Sequence, residues 1–396
     1  MIVFLLWREY RLSIAELHSL YKDCKLIYHN QKIAVFDSLS EARVKEDFHK
    51  IGWSIKAIKI INKLPQLKHF INDSIGFIDK LGFDDSKKVI YAIASYTSQN
   101  IDIFTLWIQL KKEMKKRLFL NPRFINKGNL NINAAWYKKE WLESNWFELN
   151  IIEIWEEVYL WNTISYQDID SYSSRDTWKV RDMQVWMLPP KLAQIMINLS
   201  WTINEWIYDP FCWLWTVLIE ALIQGKNEVY WSDISDEMVD ATYRNIQEYI
   251  NDSIESEVFR LDARNINKVD FLKWNKWISI VTEWYLWSIM TKWHVNEDKI
   301  LEQRKSLAQI YEPFFKWLKD LNFKWNIVIS FPFWELRWKY QYFEEIYQIL
   351  KRYWFEPLMI LPENSEYRAT KTWSLLYHRP WQQVWREIFL LKQKNR

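Results

Sequence analysis

The stretch from Ile207 to Asp233, IYDPFCWLWTVLIEALIQGKNEVYWSD, holds the residues whose types and spacing point most directly to chemistry. Asp209 ends one short apolar run and Asp233 ends the next. A carboxylate placed after a strand can accept two hydroxyl protons at once, which suits the ribose of a nucleoside-bearing ligand. To bring both acids to one edge, the chain between them must run as strand, turn, helix and strand. The helix reads from about Thr216 to Gln224, with an apolar face. This is the opening β-α-β of a nucleotide-binding sheet, and Pro210, Phe211, Cys212, Trp213 and Trp215 fall in the turn that approaches the ligand.

Such a turn is normally built on glycine, because positive φ and close backbone approach both exclude a Cβ. Here Trp213, Trp215 and Trp231 stand in those places. The 396 residues include 28 Trp and only 5 Gly. Together the two types make up about 8% of the chain, close to the roughly 7% glycine of an average globular protein with a few tryptophans added. We therefore expect most of these tryptophans to be UGA codons from a code in which UGA specifies glycine. Trp146 in LESNWFELNII and Trp354 in LKRYWFEPLMI fit the pattern, each standing where a helical segment should end on a left-handed residue. The rival reading is a surface of stacking aromatics. Those would cluster on one face, whereas these recur at turns along the whole length.

The length allows two or three domains. A formal net charge of +3 predicts neither strong nucleic-acid binding nor its absence. The six histidines have no metal-ligand spacing, so no metal is expected. MIVFLL is too short for a signal peptide, and no apolar run approaches the ~18 residues of a membrane span. The expectation is a soluble, cytoplasmic protein without a membrane partner; a monomer is compatible with this, but the oligomeric state stays open. Cys212 reads as a small residue packed under the turn rather than a nucleophile.

In chain order, residues 1–65 read as a small α+β layer, with a helix from Ser13 whose SIAE would form a capping box between Ser13 and Glu16. Residues 66–170 form a second unit containing the strand KKVIYAIASY, a helix with Lys111, Lys112, Lys115, Lys116 and Arg117 massed near its end, a short strand at Arg123, a helix over roughly 134–142 and the strand FELNIIEI. That basic helix could hold phosphates or could be a solvated face. Residues 171–396 alternate strand and helix, which predicts a doubly wound, mostly parallel sheet entered through a polar linker over 171–185.

With Trp213 and Trp215 read as glycine, the turn becomes DPFCGLGT and resembles the cofactor loop of class I methyltransferases. The resemblance implies S-adenosyl-L-methionine as cofactor. Its methionine end would lie along the turn from Asp209 to Thr216, its ribose on Asp233 and Ile234, and its adenine beside Asp262 and Ala263. An ordinary Rossmann unit for NAD is the alternative, but GxGxxG does not appear even after the substitution. TEWYLW, Thr282 to Trp287, occupies the place of the Asp/Asn-Pro-Pro-Tyr/Phe motif in methyltransferases that act on exocyclic amines. An amine conjugated with its ring is a poor nucleophile, so oxygens accept its protons while an aromatic ring stacks the base. Tyr285 matches the aromatic position. Thr282 takes the acid's place, and Glu283, one residue later, is the expected acceptor.

FLLWREYRLSIAEL resembles the FxLGRxxxLSxAEL start of the THUMP-domain tRNA guanine-N2-methyltransferases. RDMQVWMLPPKLAQIMINLS resembles that group's entry into its catalytic sheet, and YHRPWQQVWREIFLL its terminal hairpin. The implied architecture is an N-terminal α+β, THUMP-containing RNA-binding region followed by a Rossmann-like methyltransferase domain. The implied reaction is methyl transfer to the N2 amine of a guanine in tRNA, with Lys111, Lys112, Lys115, Lys116, Arg117 and Arg123 as phosphate contacts. Ribosomal RNA or DNA as the polymer, or a catalytically weakened RNA-binding protein, are the alternatives. The coding triplets at residues 213, 215 and 231 test the decoding idea directly: UGA is expected, and UGG would end it.

Overall fold

The computed structural model describes residues 1–126, 145–177, 188–200, 206–212, 215–226, 228–246, 255–274, 277–283, 296–363, 365, 367, 370–379 and 384–394. The chain divides into two compact units. Met1–Tyr10, Tyr21–His49 and Ser54–Ser173 form the first, and Arg11–Leu20, Lys50–Trp53 and Ser174–Arg396 the second. The helix expected over 134–142 lies outside the described residues.

The first unit is an α+β layer on one mixed sheet. Its strands are β1 (Ile2–Leu6), β2 (Lys25–His29), β3 (Ile33–Asp37), β4 (Ser54–Lys63), β5 (Lys88–Tyr96), β6 (Asn121–Phe124), β7 (Trp146–Ile154) and β8 (Glu157–Tyr166). They lie in the order β2-β3-β1-β4-β8-β7-β5-β6. Strands from both sides of residue 65 therefore share a sheet. The helix Ile103–Arg117 starts at Asp102, whose carboxylate accepts from the Thr105 N–H at 3.1 Å. Leu106, Leu110 and Met114 recur at helical spacing and pack with Tyr91, Phe124 and Phe147 of the sheet. Fully buried Lys56 donates to Glu148 at 2.8 Å and to Asn150 at 2.7 Å. Removing one member of such a pair typically costs about 3–5 kcal/mol, because the other charge is left buried.

The second unit carries β9 (Trp206–Asp209), β10 (Glu228–Asp233), β11 (Glu255–Arg260), β12 (Ile278–Glu283), β13 (Ile327–Leu336), β14 (Lys339–Tyr342), β15 (Phe355–Pro357), β16 (Leu375–Tyr377) and β17 (Val384–Gln393). The order is β11-β10-β9-β12-β13-β17-β15, with β14 on β13 and β16 on β17. β9 to β13 are mutually parallel, and β17 is antiparallel between β13 and β15. This is the Rossmann-like, mostly parallel sheet that the alternation of strand and helix predicts. Tyr208, Ile280, Ile329 and Phe331 form a core with Tyr311, Phe314, Phe315 and Leu318 of the helix Glu297–Asp320. The alternate residues Ile207, Val281 and Val328 are buried on the opposite face.

Four local expectations are corrected. Residues Ile169–Thr177, read as part of a polar linker, form a helix whose Arg175 pairs with buried Glu220 at 2.8 Å. The alternation of strand and helix in the sequence puts a helix over Tyr340 to Arg352; it starts at Glu344, because Lys339–Tyr342 pairs with β13 as β14. Trp231 lies inside β10 and is fully buried rather than at a turn. The capping box of Ser13 and Glu16 does not form, since the helix begins earlier, at Tyr10. Ser13 Oγ donates instead to the Trp53 carbonyl at 2.9 Å. Glu16, fully buried, accepts from the Gly52 N–H at 2.7 Å, the Trp53 N–H at 3.2 Å and Asn198 Nδ2 at 2.8 Å. Burial pushes its carboxyl up to about 7, against those hydrogen bonds and the charge of Lys191.

Among the described residues, ten that are not glycine have left-handed φ, and five of them are tryptophan: Trp155, Trp215, Trp338, Trp354 and Trp373. Each sits where backbone geometry favours glycine. Trp155 with Glu156, and Arg337 with Trp338, make two-residue hairpin loops with φ between 50° and 66°, the type I′ geometry in which glycine is common. Trp354, at φ 67°, follows the helix Glu344–Arg352 as the sequence suggests, whereas Trp146 simply opens β7 and is not left-handed.

Gly52 is required by contact rather than by φ. A Cβ there would lie 2.3 Å from the Lys191 carbonyl oxygen, a backbone atom that cannot yield cheaply. Gly52→Ala is expected to destabilise the protein by about 2 kcal/mol, within the range for overpacked sites. An unchanged urea midpoint would show that this backbone approach is not tight.

Candidate active site

Asp209 closes β9 and is 5% exposed. Its Oδ1 accepts from the Phe211 N–H at 3.1 Å and from Thr282 Oγ1 at 2.5 Å. Burial pushes the carboxyl up from its ordinary value to about 7. The two hydrogen bonds oppose this, while the negative charges of Asp233 and Glu283 add to it. Pro210 and Phe211 turn the chain, and the Cys212 N–H is tied to the Ser232 carbonyl of β10 at 3.1 Å. Cys212 is buried with Sγ 3.7 Å from Thr242 Oγ1, and burial drives its thiol well above the ordinary range. Trp215 follows at φ 50°, 1% exposed, and Thr216 opens the helix Thr216–Ile223. Trp213 lies outside the described residues.

Asp233 ends β10, half-buried, and its Oδ1 accepts from the Ser235 N–H at 2.9 Å. Ile234 beside it is 56% exposed, an aliphatic surface next to an acid. Asp262 follows β11 and caps the short helical turn Ala263–Lys268, accepting from the Arg264 N–H at 2.9 Å and from its guanidinium at 2.6 Å. Partial burial raises its carboxyl, but Arg264 holds it below the ordinary value. Ala263 is buried beside it. The acids thus fall at the carboxyl ends of successive parallel strands, and the strand order reverses between β9 and β12, where open α/β sheets bind ligands.

At the end of β12, Thr282 and Glu283 part company, as neighbours in a strand must. Thr282 is fully buried and spends its hydroxyl on Asp209. Glu283, its side chain 16% exposed, is ion-paired with Arg386 of β17. Tyr285 lies outside the described residues. Sequence reasoning missed Arg386, although a signal was present: an arginine and a glutamate open the apolar strand REIFLL, and both are buried.

The basic residues of the first unit occupy one helix and one strand. Lys112, Lys115, Lys116 and Arg117 are exposed, Lys111 is half-buried with Nζ 5.9 Å from the Trp107 ring, and Arg123 is exposed on the edge strand β6. Arg117 also bonds Glu113 at 2.6 Å and Asn72 at 3.1 Å. Trp107 stacks on Phe124 at 5.0 Å, and Phe104 beside it is 62% exposed. Among the described residues no group of His, Cys, Asp and Glu could hold a metal, and no helix is long and apolar enough to cross a membrane.

No family model and no curated protein matches the chain. Solved structures do. The chain is similar to TrmN from Thermus thermophilus at 13% identity and TM-score 0.48, with all of both chains covered. It is similar to a possible methylase from Clostridium difficile 630 at 12% identity and TM-score 0.47, covering 100% of this chain and 98% of that one. Over 56% of its length it is similar to magnesium protoporphyrin IX methyltransferase from Synechocystis PCC 6803 with bound SAH, at 14% identity and TM-score 0.34, covering 94% of that chain.

Asp209 makes the site pH-sensitive in a definite direction. A carboxyl raised from 3.8 to about 7 on folding gives stability that is complete below the lower value and is lost as pH rises through the higher one. Asp209→Asn should therefore gain on the wild type in urea midpoint as pH rises from about 4 to about 7. Parallel pH dependences for the two proteins would contradict the burial of this charge.

Proposed function

We propose that the chain is an S-adenosyl-L-methionine-dependent methyltransferase that modifies the exocyclic N2 amine of a guanine in tRNA. The observation that carries the reading is Glu283: a carboxylate at the end of the strand beyond the topological switch point, beside the acids a nucleoside would use. The antiparallel β17 between β13 and β15 also departs from the 3-2-1-4-5-6 order of dinucleotide-binding sheets, which favours a methyltransferase over an NAD enzyme.

The residues present suit the cofactor's chemistry. Asp233 would take the ribose hydroxyls, with the exposed Ile234 offering an apolar surface beside it and Asp262 and Ala263 beyond. When bound, the cofactor supplies a methyl group to the amine lone pair, and the electrons of the broken S–CH3 bond stay on sulfur. Glu283 then accepts the proton that nitrogen gives up. Thr282 does not compete for that role, because its hydroxyl is committed to Asp209. The basic helix Ile103–Arg117 with Arg123, within a proposed THUMP-like region, would hold RNA phosphates, and its exposed aromatic neighbours favour a stacking partner over a bare solvated face.

We also infer that the native chain carries glycine at Trp155, Trp215, Trp338, Trp354 and Trp373. A left-handed backbone costs an L-residue roughly 1–2 kcal/mol and costs glycine little. At Trp215 a buried indole also occupies the turn where the cofactor's methionine end would lie. The codons at these five positions decide this point: UGA is expected, and UGG would end the idea.

Incubating the protein with methyl-labelled cofactor and tRNA, ribosomal RNA or duplex DNA tests the function. Label is expected in tRNA, on guanine N2. Glu283→Ala should abolish transfer while leaving cofactor affinity within about two-fold, since a general base contributes at least roughly 100-fold to rate. Transfer into DNA or ribosomal RNA alone would favour those substrates, and retained turnover in Glu283→Ala would remove Glu283 from the reaction.

A further inference from the structure

Glu283 stands in an acidic neighbourhood. Asp209 at the end of β9 interacts with both Glu283 and Asp233, and buried Tyr311 of the helix Glu297–Asp320 faces Asp209 and Glu283. Like charges at this density favour protonated carboxyls, and a protonated Glu283 could not take up the amine proton. The structure supplies a counter-charge from the other side. Arg386 lies on β17 opposite Pro332 of β13, while Ser330 of β13 pairs with Glu283 of β12. One strand therefore separates the two residues, and the long arginine side chain crosses it. Arg386 is 2% exposed, and its guanidinium carbon is 5.9 Å from the centre of the Tyr377 ring. Its Nε donates to Oε1 of Glu283.

We propose that Arg386 is a positioning residue for amine methylation: by engaging Oε1 through its Nε it fixes the orientation of the Glu283 carboxylate at the end of β12. This rests on the methyltransferase reading above. A purely structural ion pair would need only to neutralise charge within the sheet. A positioning pair must also fix the orientation of the carboxylate, and a planar guanidinium donating through Nε does this where a flexible ammonium does not.

The test compares Arg386→Ala, Arg386→Lys and Glu283→Gln with the full-length wild type. Three readouts are needed: kcat and KM on tRNA, cofactor affinity by calorimetry, and the titration of Glu283 by NMR of carboxyl-labelled glutamate. Arg386→Ala is expected to lower kcat about 100-fold, with cofactor affinity within about two-fold, and Arg386→Lys to fall between it and the wild type. The Glu283 titration midpoint and the acidic limb of the kcat profile should both rise by at least about one pH unit in Arg386→Ala. If Arg386→Ala does not fold, Arg386→Lys carries the test, and a wild-type kcat for it overturns the proposal. Unmoved midpoints, or a loss confined to KM, overturn it as well. Full activity in Glu283→Gln leaves the methyltransferase reading standing but removes Glu283 from the reaction and overturns the proposal, whereas no transfer by the wild type to tRNA, ribosomal RNA or DNA sinks that reading and takes the proposal with it. Loss in Glu283→Gln alone leaves that reading standing and rejects Arg386.

Discussion

Negative charge gathered at the carboxyl ends of parallel strands is the constraint around which the second unit is built. Asp209, Asp233 and Glu283 influence one another at the ends of β9, β10 and β12. Each is stabilised differently. Asp209 is buried, takes hydrogen bonds from Thr282 and the Phe211 backbone, and is raised far enough to carry a proton part of the time near neutrality. Asp233 stays half-buried, and its Oδ1 takes a backbone N–H from the following turn. Glu283 is paired with an arginine brought in from β17. Two acids with opposite environments beside one another are the usual way a site separates a structural carboxyl from one that moves protons.

The second constraint is backbone handedness. Hairpin loops at 155–156 and 337–338, the end of the helix Glu344–Arg352 and the turn before Thr216 all need left-handed residues. In this chain tryptophan supplies one at each. The structure adopts these turns although the residues oppose them, so the fold is specified by its strands and helices rather than by its turn residues.

The sheet of the second unit was legible because long apolar runs ending in acids repeat with helices between them. β9, β10 and β12 lie where IYD, VYWSD and ISIVTE place them. What escaped the sequence reading was pairing at a distance. Arg386 and Glu283 are 103 residues apart, and nothing local in REIFLL reveals which strand end its arginine reaches. The same limit explains Lys56, which reads as one more charge on an alternating strand until Glu148 and Asn150 arrive from β7. Hydrophobic period gives the face a residue occupies, whereas strand order, which sets its neighbour, is a property of the whole sheet. The misplaced capping box has a similar cause. Ser13 and Glu16 have the right spacing, but burial against 50–53 and Asn198 offers them better partners than a helix end does.

Burial of Ser13 and Glu16 also sets the bounds of the second unit. Arg11–Leu20 and Lys50–Trp53 belong to the same compact unit as the parallel sheet, although most of the chain between and around them does not. Glu16 accepts from Gly52, Trp53 and Asn198 in a fully buried site, and Asn198 Nδ2 also bonds the Lys50 carbonyl at 2.8 Å. Residues 171–396 alone would lose the carboxylate that Asn198 donates to and the backbone that Gly52 lays against Lys191. A buried amide left without acceptors costs about 1–3 kcal/mol, and the exposed helix face adds to that. The second unit is therefore discontinuous in sequence. Contacts of such separation are formed at an entropic cost, which the buried hydrogen bonds of Glu16 and Asn198 offset within the second unit.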